Sequence, residues 1–109
     1  MSLIDRLRKA REIRIEAGGQ VFTALRPTDM DMVGLIGADG YALLKFVIGW
    51  EMTELDLGIP GGSGEAVPFQ PDLFAEWIKD QPALWTPLII AIKDAYAAHS
   101  ERLEQAAKN

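Results

Sequence analysis

Two glycines, Gly18 and Gly19, sit between runs that alternate apolar and polar residues, and this constrains the chain more than any other feature. Ile13, Ile15 and Ala17 alternate with Glu12, Arg14 and Glu16, and Val21 to Leu25 continues with β-favouring residues. A two-residue turn at the glycines pairs Ala17 with Gln20, Ile15 with Phe22 and Ile13 with Ala24, because a primed turn needs positive φ at both central positions. That register gathers Ile13, Ile15, Phe22 and Ala24 on one face. A hairpin with one apolar face is not stable alone, so helices must cover it.

The rest of the chain reads as those helices. Ser2 and Asp5 outline a capping box for a short helix carrying Leu3, Ile4 and Leu7 on one face; two turns of helix are marginal unless they dock. Thr28 caps another helix, with Asp29 and Asp31 in its first turn, and Asp39 caps a third. From Tyr41, the run Leu43, Leu44, Phe46, Val47, Ile48 is interrupted only by Lys45, so this segment is expected as a helix buried nearly all round, with Phe46, Val47 and Trp50 in the core and Gly49-Trp50 as its end. Residues 51–69 form the longest irregular stretch, and 58–66, rich in glycine, is expected as a mobile loop. Val67 and Phe69 re-enter the core before a helix begun by Pro71, with Leu73, Phe74, Trp77 and Ile78 inward. In the last helix Trp85, Ile89, Ile92, Tyr96, His99, Leu103 and Ala106 are spaced 4, 3, 4, 3, 4, 3, a heptad-like seam; Pro87 is expected to delay regular helix to about Thr86. The fold expected is mainly α: one small domain over residues 1–109, with four to five helices and an N-terminal β-hairpin.

Charge is divided along the chain. Residues 1–26 hold six basic and three acidic groups, residues 27–80 two basic and ten acidic, and residues 81–109 three of each. The acidic middle disfavours nucleic acid there, since phosphate contacts need cations, and Glu12 and Glu16 interrupt the basic N-terminal stretch. The most apolar run, Tyr41–Trp50, is about half of a membrane span, and charges occupy the positions where a signal peptide needs apolar residues. A soluble, cytosolic protein without membrane association is expected.

Few residues invite chemistry. With no cysteine and one histidine, disulfides, iron–sulfur clusters and Cys/His zinc sites are excluded. The glycine-rich run from Gly58 lacks the Lys and Ser/Thr of a phosphate-binding loop. Asp29 and Asp31 with Gly34 resemble the start of a calcium loop, but Val33 and Gly40 replace required oxygen donors. Glu51, Glu54 and Asp56 have no nucleophile or cation partner nearby. No catalytic, cofactor-binding or metal-binding residue is therefore assigned, and the chain is read as no enzyme. His99, and Trp77 and Trp85 at helical spacing, read as packing residues.

One combination of segments does point to a family. The hairpin is followed by Leu25-Arg26-Pro27-Thr28-Asp29, Phe46-Val47-Ile48-Gly49-Trp50-Glu51, an acidic Gly/Pro loop and Val67-Pro68-Phe69. Then come Pro71-Asp72-Leu73-Phe74, Asp80-Gln81-Pro82-Ala83-Leu84-Trp85, a long helix and a terminal Lys108-Asn109. Over residues 12–109 this order resembles the small tail assembly chaperones of long-tailed bacteriophages and prophages. Gln70 departs from the pattern, standing where an aspartate-like cap is expected. The resemblance implies a non-enzymatic holdase that binds and solubilises the tape-measure protein in the bacterial cytoplasm and is absent from the finished virion. It also implies a longer form made by frameshifting, which an adenine-rich Lys-Asn codon pair would suit. The alternative is another phage structural or completion protein, or a nucleic-acid-associated binding module using residues 6–14. The expected partner surface is Tyr96, His99 and Leu103, where the seam outruns the core; homo-oligomerisation through the same seam is the competing mode.

Overall fold

The computed structural model describes residues 1–108; Asn109, half of the terminal Lys-Asn pair, lies outside the described residues. Helix α1 (Leu3–Lys9) leads into strands β1 (Glu12–Ala17) and β2 (Gln20–Leu25), which pair antiparallel in the register that the alternation predicts. Gly18 and Gly19 both take positive φ, at 58° and 77°, as the primed turn requires. Ile15, Ala17, Phe22 and Ala24 are buried and Ile13 partly so.

The fold class expected from sequence needs correction. Among the described residues there are six helices and a three-stranded antiparallel sheet, ordered β1-β2-β3, in place of four to five helices and a lone hairpin. The difference lies in the Tyr41–Trp50 run. Gly40–Phe46 forms a 3-10 helix capped by Asp39, and Val47–Trp50 then straightens into β3 beside β2. Phe22 pairs with Trp50 and Ala24 with Val47 across a register irregularity at Thr23/Ala24. Leu43 and Val47 are buried, Phe46 and Trp50 half-buried, and Tyr41 and Ile48 exposed, so the run is not buried all round. A continuous apolar run serves a helix or a buried strand equally, and here the chain divides it between the two.

Two further short helices flank this strand in sequence. Helix α2 (Asp29–Gly34) has a full capping box, Thr28 with Asp31. Helix α3 (Glu54–Leu57), in the stretch expected to be irregular, has the same device in Thr53 and Asp56. Helix α4 (Pro71–Ile78) buries Phe74 and Ile78, and its cap Gln70 makes no side-chain hydrogen bond. Helix α5 (Pro82–Lys108) begins at Pro82 and contains Pro87, which has no N–H to offer the Ala83 carbonyl. Its buried stripe is Leu84, Leu88 and Ile92: it meets the expected seam at Ile92, but before that Leu84 and Leu88 go inward, one position ahead of Trp85 and Ile89, which are half-buried beside them.

Phe22, Trp50, Phe69, Phe74 and Trp77 form one aromatic cluster under the sheet, with centroids 5.1–6.5 Å apart. Each indole N–H donates to a backbone carbonyl: Trp50 to Val67 at 2.8 Å, Trp77 to Leu57 at 2.9 Å and Trp85 to Ile78 at 2.6 Å. The tryptophans thus anchor the connecting segments as well as filling the core. No helix among the described residues is long and apolar enough to cross a membrane.

Candidate partner-binding surface

The three residues expected to meet a partner lie on one face of α5, and the structure separates them. Tyr96 and His99 are half-buried, whereas Leu103 is 50% exposed. The cause is Asp29. At the start of α2 the backbone donors are met by Thr28, and Asp31 returns to the Thr28 N–H at 2.8 Å. This leaves the Asp29 carboxylate free to turn toward α5, where Tyr96 donates its hydroxyl to Oδ1 at 2.8 Å. His99 Nε2 stands 3.4 Å from Oδ2, and the Tyr96 and His99 rings are 5.9 Å apart.

The Tyr96 hydrogen bond, and after it that of His99, holds the Asp29 carboxyl below the usual carboxylate range. Next to it, Arg26 donates to the Pro27 carbonyl at 2.8 Å. Burial, and then the Arg11 charge, lowers the Arg26 guanidinium from its ordinary value; Asp29 opposes this and Arg102 reinforces it. The middle of α5 is therefore tied into the domain by a polar group that spans 67 residues of sequence. Neither Asp29 nor Arg26 was marked as a site residue by sequence, since an acid at a helix start and an arginine after a strand are ordinary.

Beyond His99 the situation changes. Every residue from Glu101 to Lys108 is exposed, so Leu103 and Ala106 continue the seam on a helix end that nothing in the domain covers. The molecule measures 57 × 35 × 22 Å, with the radius of gyration at 15.6 Å against about 13 Å for a compact chain near this length.

Of Glu51, Glu54 and Asp56, the last two have structural partners. Glu54 accepts from the Ser63 N–H at 2.9 Å and hydroxyl at 2.8 Å, and the Leu55 N–H donates to the Ser63 carbonyl. These bonds hold the Glu54 carboxyl low, and those from Thr53 do the same for Asp56. Among the described residues no group of three or more His, Cys, Asp or Glu is placed to hold a metal ion. An apolar cleft of about 400 Å³ opens between the 3-10 helix and α4, lined by Tyr41, Leu44, Phe74, Ala75 and Ile78, with Lys45 and Asp72 alongside. Comparison of the chain with family models, curated proteins and solved structures finds no match.

Proposed function

We propose that this chain is a non-enzymatic tail assembly chaperone of the long-tailed bacteriophage kind, which binds the tape-measure protein and keeps it soluble until the tail tube encloses it. In this reading it acts in the cytoplasm of the bacterial host and is absent from the finished virion. The order of sequence motifs first suggests the role, and the bare end of α5 is the observation that supports it best. A helix whose last residues are exposed, with Leu103 and Ala106 in line with the half-buried Tyr96 and His99, suits contact with an apolar stripe on a second helix. The acidic surface of residues 27–80 keeps such a complex soluble.

The test is co-expression with the product of a neighbouring long, helix-rich reading frame, reading how much of that product stays soluble. Leu103→Glu is expected to lower capture with the fold intact, since Leu103 makes no part of the core. Equal solubility of the long partner with and without this chain overturns the reading; undiminished capture by Leu103→Glu removes the proposed surface.

A further inference from the structure

Two short helices leave apolar faces uncovered, and the two faces are complementary. On α1, Leu3, Ile4 and Leu7 lie on one side, and no residue of the helix is buried. On α2, Met32 and Leu35 pack inward while Met30, Val33 and the following Ile36 point out. These six outward side chains are 62–83% exposed. A two-turn helix is marginal without tertiary support, and among the described residues nothing buries the face of α1.

The charges around the faces are opposite. Arg6, Arg8 and Lys9 surround the α1 face, with Asp5 as the one acid of that helix. Asp29, Asp31 and Asp39 are in or next to α2. Asp29 and Asp31 also accept hydrogen bonds within the chain, but Asp29 stays 59% exposed. Residues 27–44 contain no lysine or arginine, Arg26 standing just before them. We infer that α1 of one copy docks on α2 of a second copy, Leu3, Ile4 and Leu7 against Met30, Val33 and Ile36, within a frame of basic against acidic side chains. Each copy carries both halves, so a two-fold axis makes the contact twice. Doubling is needed, because a seven-residue helix is only about 10 Å long and a stable interface buries about 1,600 Å² in all. An anionic membrane suits α1 alone, but the eight excess negative charges of residues 27–80 oppose it, whereas a second copy meets both faces at once. This inference does not rest on the tape-measure reading, which uses the far end of α5.

The experiment uses two variants of the whole chain. One carries Leu3→Asp and Leu7→Asp, the other Met30→Lys and Val33→Lys; all four side chains are exposed, and far-ultraviolet circular dichroism checks that the fold is kept. Sedimentation equilibrium is expected to show the unaltered chain above its 12.0 kDa monomer mass, with an association that weakens as salt is added. Each variant alone is expected to self-associate at least about tenfold more weakly. Mixed one to one they are expected to associate again, because the intact α2 of the first meets the intact α1 of the second, and at the other contact the introduced carboxylates of the first oppose the introduced ammonium groups of the second. A monomeric unaltered chain, variants that associate as well as it does, or a mixture that stays monomeric each overturns the inference. Both variants keep Leu103, so their capture of a tape-measure product reports on the other reading separately.

Discussion

Asp29 carries three duties in one side chain: it stands in the first turn of α2, accepts from Tyr96 and faces His99. Its acidity follows from those contacts. A carboxyl held below its unfolded value adds stability that is present above the ordinary carboxylate range and is lost as pH falls through the folded value. Asp29→Asn is therefore expected to lower the melting temperature at neutral pH and to flatten its dependence on pH in the acid range, measured by thermal melts from neutral pH downward. Tyr96→Phe is expected to do the same through the carboxylate's lost donor. A Tyr96→Glu change would set two carboxylates against each other, so it probes the fold and not the partner surface. None of this could be read from the chain, because a contact between residues 29 and 96 leaves no mark in local periodicity. Sequence put Tyr96 and His99 together on one face of the last helix but did not show what covers them.

Among the elements, legibility followed how local the causes are. The hairpin could be read to the residue because its turn chemistry and its period-2 pattern agree. Gly19→Ala, with open space around the new methyl, is expected to cost about 1 kcal/mol for the positive φ alone. Gly18→Ala is expected to cost about 2 kcal/mol, since its Cβ would stand 2.7 Å from Leu84 Cδ2 and push that core side chain aside. Strand β3 was hidden because Val47-Ile48-Gly49-Trp50 continues an apolar run whose first part is helical. With this strand in the sheet the core is centred on Phe22: Phe22→Ala is expected to cost about 3–5 kcal/mol in denaturant melts, and Phe46→Ala about half of that because its ring is half-buried. The glycine-rich loop was expected to be mobile, but composition does not reveal a brace such as Glu54 to Ser63, or the Thr53–Ala66 bridge behind it. Glu54→Ala is expected to turn residues 58–66 into the first site of limited proteolysis, while in the unaltered chain this loop resists longer than the end of α5.

At the scale of the whole molecule, α5 is one helix with three environments. From Leu84 to Ile92 it is the wall of the core, at Tyr96 and His99 it is held by α2, and from Glu101 to Lys108 it has no cover. Its 27 residues make about 40 Å of helix, longer than the domain behind it needs. A stability role and a binding role should therefore separate along its length. Of the described residues, ending the chain at Ser100 removes only exposed side chains, Glu101 to Lys108, so the unfolding free energy is expected to change by no more than about 0.5 kcal/mol. The same truncation removes Leu103 and Ala106 and is expected to abolish capture of a co-expressed tape-measure product. It leaves α1 and α2 untouched, so the self-association argued from those helices should persist with the same salt dependence. A truncated chain that melts several degrees lower would place the helix end within the cooperative fold; one that still captures its partner would move the binding surface elsewhere, and the apolar cleft beside Tyr41 and Ala75 is the next place to look.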